Sequence, residues 1–442
     1  MKLLHNATII TAQKEAVGSI FIKDGKISDI IYKEENEYIS KVMGYMKSGA
    51  EVMDLEGKCV MAGGVDAHVH FREPGLTHKA DMATESRAAA AGGVTFVMDM
   101  PNTSPATISA QRLKDKIEAA RGRTTGKVAF HIGATNENAE DICRLITEGD
   151  SESGITPDDI AGVKVFMGSS TGNMLVDDND TLAKLFAVKA KPVLVHCEDE
   201  AIIKANLSAA TEKYGEDIPF AEHQNIRSRS ACIKSSIRAL EMAIKYGTRL
   251  VLCHISTKEE MEMVRAAKLN NPEIIAETSC NYLWFSNEDY NRLGSRVKCN
   301  PSVKTAADRD ALRKGLAEGV IDTIGSDHAP HLLTEKDNKY SKAPSGLPTI
   351  QHSLPVLLTI AIQEDIPLTR IASVFSEKAS EIYGLKSGKI EKGFAADLVI
   401  FDKEKEFTVK AEDIKSKCGW SPFEGETLKG FIEAVMVDGI II

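Results

Sequence analysis

"GVDAHVHFREPG", residues 64–75, sets His68, His70 and Arg72 two residues apart. In a β-strand alternate side chains share a face, so these three point one way and Val69 and Phe71 point the other. Pro74 and Gly75 then end the strand. The stretch reads as a strand whose end presents two imidazoles and a cation to one cavity.

Seven more short apolar runs follow: GVTFVMDMP, VAFHIGA, GVKVFMG, PVLVHCEDE, RLVLCHIS, EIIAETSC and DTIGSDHAP. Between them lie amphipathic segments such as 109–122 and 230–247. Continuous apolar strands alternating with helices indicate a parallel sheet buried on both faces. Eight such repeats indicate an α/β fold of the (β/α)8 TIM-barrel type, with its active site at the C-terminal ends of the strands. Polar and charged residues do crowd that end of each run. The segment TEKDNKYSKAPSG, 334–346, reads as a mobile loop over the same face.

Both termini differ from this pattern. LLHNATII, SIFIKDGKISDII and AEVMDLEGKCVMAG at the start, with GKIEKGFAADLVIFD and KGFIEAVMVDGIII at the end, read as strands and turns. The DGK at 24–26 is a hairpin signal. We therefore expect residues 1–57 and 388–442 to form a small β-sandwich domain, and 58–387 the catalytic barrel.

The 442 residues are 43% hydrophobic and 27% charged, an ordinary globular composition. Fifty-four basic and 64 acidic residues leave a net charge of −10. No basic block stands out, which argues against nucleic acid as a partner. An anionic ligand would have to be drawn by a local site rather than by the global field. The start, MKLLHNATIITAQ, lacks the features of a signal peptide, and no apolar run reaches the length of a membrane span. The eight cysteines form no CxxC pair. Reduced thiols in a cytoplasmic enzyme are the expectation. Cys197 and Cys253 each adjoin a histidine, so strand alternation assigns them to packing rather than ligation.

Four histidines stand at strand ends: His68 and His70 on the first, His196 on the fifth and His254 on the sixth. Asp327 ends the eighth. A single such histidine is most often a hydrogen-bonded core residue. Four at one face, with an aspartate, suit zinc or a similar divalent metal. Lys164 is out of place between Val163 and Val165. It either reaches solvent or a carboxylate, or is held neutral by burial. A neutral amine can add carbon dioxide, and the carbamate can bridge two cations about 3.5–4 Å apart.

HVHFREPG, DMPNT, GVKVF, VHCEDE, LCHIS, NPSVKTAADRDAL and GSDHAPH together resemble the amidohydrolase superfamily and, within it, the dihydroorotase family. The resemblance spans nearly the whole chain. It implies a binuclear zinc centre. His68, His70 and Asp327 would hold one metal, His196 and His254 the other, and carboxylated Lys164 would bridge them. It also implies reversible hydrolysis of the cyclic amide of (S)-dihydroorotate to N-carbamoyl-L-aspartate, a step of pyrimidine synthesis. A hydroxide between the metals would attack, with Asp327 as general base and then acid. Many bacterial relatives carry an aspartate-rich stretch near the fourth strand instead of such a lysine. Asp177 and Asp178 lie too far along to match it and read as a loop or helix cap.

A ring carboxylate needs a cation. Arg72, in step with the metal histidines, is the candidate, with Asn102 and His331 beside it. Its competing role is a surface ion pair with Glu73. Asn300 and the backbone of Gly346 and Leu347 are further candidate contacts. His131 reads as a core histidine, and His5, His78, His223 and His352 as structural or solvated. Hydantoinases, dihydropyrimidinases and allantoinases share the metal set but handle neutral rings and generally lack the Arg72 and Asn102 pair. A non-catalytic scaffold relative would have lost ligands, whereas all six positions are filled here. The family suggests a homo-oligomer.

Overall fold

The computed structural model describes residues 1–168 and 174–442. The eight apolar runs form eight short parallel strands. The first three are Gly64–Val69, Val94–Asp99 and Lys127–Phe130, paired in that order. The third continues past His131 as Ile132–Gly133. That piece pairs with Val163–Phe166, followed in order by Val193–His196, Leu250–Leu252, Ile274–Thr278 and Thr323–Ile324. A parallel bridge between Val69 and His328 closes the ring. The His70 N–H reinforces it, donating to the His328 carbonyl at 2.8 Å. The strand side chains are almost all buried, as expected for strands covered on both faces.

The intervening helices carry the end signals that their sequences contain. Ala110–Ala120 starts at Ser109, whose hydroxyl accepts from the Arg112 N–H. Arg229–Tyr246 stops at Gly247, which takes a left-handed φ of 63°. Asn179–Ala187 is capped by Asp178, so that aspartate is indeed a helix cap.

Both termini share one eight-stranded sheet. Strand Cys59–Ala62 lies at its centre, between Lys2–Ile10 and Leu398–Thr408. Leu4, Ile20, Val60, Leu398 and Met436 bury one apolar core between the two chain ends. Residues Asp24 and Gly25, both at positive φ, turn the hairpin between Glu15–Lys23 and Lys26–Tyr32. Among the described residues no helix is long and apolar enough to cross a membrane.

Three expectations need correction. The terminal sheet runs past residue 57, because Cys59–Ala62 pairs with both Lys2–Ile10 and Leu398–Thr408. The first strand ends at Val69, short of Arg72 and of the Pro74–Gly75 stop, because the chain turns at Arg72, whose φ is 66°. The 334–346 segment is not a loose loop. Tyr340 and Ala343 are buried, and so is Lys336, whose ammonium donates to three carbonyls.

Candidate active site

The C-terminal ends of the barrel strands surround a small, partly open cavity. His68, His70, Lys164, His196, His254 and Asp327 all line it. So do Arg72, Asn102, Asn300, His331 and Gly346. Leu347 does not. It is buried alongside, and its carbonyl accepts from the Ala329 N–H at 2.8 Å. Phe166, Ala329 and Ser345 line the cavity too.

Three of these side chains are aimed by unusual backbone. Arg72, His254 and Asp327 have φ of 66°, 39° and 47°. Left-handed conformations cost energy for such residues and concentrate at functional sites. At His254 the consequence is direct. Alternation would put Cys253 and His254 on opposite faces, yet both face the barrel interior. Cys253 packs with Leu194, Val251 and Ile275, and its sulfur takes a hydrogen bond from Lys164 Nζ at 3.4 Å. Its packing role was expected; its place beneath the site was not.

The hydrogen bonds settle which face of each imidazole points into the cavity. His68 Nδ1 lies 2.7 Å from Glu277 Oε1, and His70 Nδ1 lies 2.8 Å from Asn102 Oδ1. Both partners accept, so each Nδ1 carries the proton. The remaining Nε2 lone pairs then confront another acceptor: Asp327 Oδ1 is 3.5 Å from His68 Nε2 and 3.0 Å from His70 Nε2. On the other side His196 Nε2 donates to Glu198 Oε2 at 2.9 Å. That leaves its Nδ1 facing His254 Nε2 at 3.0 Å.

Burial holds His68 and His254 well below the usual histidine range, and nearby Lys164 or His196 adds to it. His196 is lowered by burial as well. Burial alone would raise Asp327, yet among the rings of His70, His68 and His254 it stays below the usual carboxylate range and is ionised. Neutral imidazoles and a carboxylate aiming lone pairs at one another make a donor set that needs a cation between them. The residues therefore fit divalent metal.

Lys164 has no exposed surface, and among the described residues it forms no ion pair. The solvent-facing reading of this lysine is thus excluded. Arg72 is likewise buried. Its Nε donates to the Pro330 carbonyl at 3.0 Å, and Nη2 lies 3.0 Å from His331 Nε2. Glu73 pairs instead with Arg123 at 2.7 Å. Burial pushes the Arg72 guanidinium down to about 10, still charged at neutral pH. Among the described residues, Asn300 Oδ1 is buried with no hydrogen-bond partner.

A model of the amidohydrolase family matches residues 59–442. The chain belongs to the amidohydrolase family. The amidohydrolase relatives include a protein named dihydroorotase from Methanosarcina mazei, 34% identical over 86% of this chain and 83% of its own length. A dihydroorotase from Staphylococcus epidermidis is 31% identical over 100% of this chain and 99% of its own. Among solved amidohydrolase structures, L-hydantoinase (dihydropyrimidinase) from Arthrobacter aurescens superposes with a TM-score of 0.89 at 27% identity. It covers 100% of this chain and 95% of that one. The family carries a binuclear divalent metal centre, which the donor set accommodates.

Some supporting residues escaped the sequence reading. Glu277 and Glu198 orient two of the histidines, and Arg227 pairs with Glu198. His328 follows Asp327 and is braced by Glu85 at 2.7 Å. The signal for Glu277 was present: a carboxylate inside the apolar run EIIAETSC, the counterpart of Lys164 in its own run. His131 is a buried core histidine, 2.9 Å from the Ala67 carbonyl.

Proposed function

We propose that the protein is a dihydroorotase, interconverting (S)-dihydroorotate and N-carbamoyl-L-aspartate. Arg72 carries this reading. It is a buried guanidinium on the cavity wall, and its Nη1 makes no hydrogen bond among the described residues. A ring carboxylate supplies the missing partner, and a neutral ring does not. The dihydroorotase names of the relatives agree with it.

In this reading zinc is the metal. His68, His70 and Asp327 would hold one ion, and His196 and His254 the other. Lys164, once carboxylated by carbon dioxide, would supply a further anionic ligand. Bound divalent metal acidifies water and polarises a carbonyl. The chain's own groups do the rest. Asp327 accepts the proton of the attacking water and delivers it to the departing ring nitrogen. Arg72 grips the ring carboxylate, with His331 and Asn102 closing that end. Asn300 Oδ1 is an acceptor for a ring N–H, and the Gly346 backbone borders the ring.

The test is turnover by the zinc-loaded protein of dihydroorotate, hydantoin, dihydrouracil and allantoin. Dihydroorotate should be preferred by orders of magnitude. A preference for any neutral ring would overturn the assignment in favour of a hydantoinase-type activity.

A further inference from the structure

The segment from Lys336 to Gly346 walls one side of the cavity. Its end, Ser345 and Gly346, lines the cavity beside Arg72 and His331. The fit there is close. The Ser345 carbonyl lies 3.1 Å from His331 Nε2. A Cβ on Gly346 would meet the Ala329 carbonyl at 2.5 Å and the His331 ring at 3.0 Å.

Two buried lysines hold this wall. Lys336 Nζ donates to the carbonyls of Pro344 at 2.8 Å, Gly346 at 3.0 Å and Lys298 at 3.2 Å. Lys298 Nζ donates to the carbonyls of Ala343 at 2.6 Å and Tyr340 at 2.7 Å. The Gly346 N–H donates back to the Lys298 carbonyl at 3.0 Å. Among the described residues neither lysine has a carboxylate partner. Nearby Lys79 differs, being paired with Glu335 at 2.9 Å. Burial pushes Lys336 down to about 7 and Lys298 to about 8, while their carbonyl acceptors favour the charged form.

Burying two ammonium groups without carboxylates is costly, and apolar side chains would fill the same space. The amines bring what apolar packing lacks: they fix the wall through directed bonds from two anchors.

We propose that Lys336 and Lys298 are positioning residues for the anionic end of the substrate. They hold residues 340–346 in the shape that sets Ser345 and Gly346 beside Arg72 and His331, without touching the substrate. This rests on the anionic-substrate reading above.

The experiment uses the full-length, metal-loaded enzyme. Lys336→Met keeps the length and apolar stem but removes the ammonium. Its KM for dihydroorotate should rise at least about tenfold as the wall beside Arg72 shifts, while kcat stays within about threefold. Metal content should match wild type. Backbone hydrogen exchange should accelerate at residues 337–346 and not at the barrel strands. An unchanged KM, or equal changes in kcat and KM, would overturn the proposal. If Lys336→Met does not fold, Lys298→Met releases the same segment from its other anchor and is held to the same outcomes. Failure of both to fold would mean that the lysines serve the fold alone, and would also overturn it. Wild-type enzyme inactive on dihydroorotate would instead remove the substrate reading on which the proposal stands.

Discussion

Replacing Arg72 with Met isolates the chemistry on which substrate choice turns. The side chain keeps its length and apolar stem but loses its charge and planar fork. Two consequences can be separated. Within the protein, the Pro330 carbonyl loses its 3.0 Å donor and His331 loses a neighbour at 3.0 Å. A buried acceptor left without a partner costs about 1–3 kcal/mol of stability, so some fall in Tm is expected. For the substrate, each lost hydrogen bond between guanidinium and carboxylate is worth about 1.5–3 kcal/mol. That is roughly ten- to more than hundredfold in kcat/KM. Metal content should not change, because every imidazole that faces Asp327 or His254 keeps its partners. The assay compares kcat/KM for dihydroorotate with that for a neutral cyclic amide accepted weakly, in wild type and variant, with metal measured alongside. The loss should be large for the first and small for the second. Equal loss on both, or none on dihydroorotate, would show that Arg72 only supports the 330–331 backbone.

Asp327→Asn should lower turnover by about 10²–10⁴-fold, because an amide cannot shuttle a proton; near-full activity with metal bound would disprove its role. Lys164→Ala should lose metal and activity together, and a small carboxylic acid in solution should restore part of both; a fully active variant with two metals would refute the bridge. Hydrolysis creates a carboxylate and releases a proton, so it should rise with pH through the acidic-to-neutral range while cyclisation falls; parallel profiles would contradict this. His352 gives an acid-stability prediction. Burial lowers it to about 4 in the folded chain, against about 6.5 unfolded. Between those values the unfolded chain binds more protons, so stability is full above about pH 6.5 and falls as pH drops toward 4. The contribution is on the order of 3 kcal/mol at about 1.4 kcal/mol per pKa unit. Tm measured from pH 7 to 4 should fall less steeply in His352→Gln than in wild type.

The sequence by itself determined the barrel and most of the residues that line the candidate site. Continuous apolar runs and the amphipathic segments between them are local properties, and eight such runs in alternation with helices leave few other ways to bury the strands. His68, His70, His196 and His254 were legible because each sits where such a run ends, and Lys164 because an amine inside an apolar run is costly. What surrounds them was not legible. Glu277 meets His68 across 209 residues, and Glu85 meets His328 across 243. Such pairs exist only once the ring has closed. Strand alternation also misjudged Cys253 and the end of the first strand, because the left-handed turns at His254 and Arg72 break the period on which it relies. The 334–346 segment looked loose for a related reason. Its polar composition predicts solvent exposure, and only the folded chain brings Lys298 and Lys336 to its carbonyls. Periodicity reports which face of an element is buried; which buried polar groups find one another is decided by contacts between distant parts of the chain.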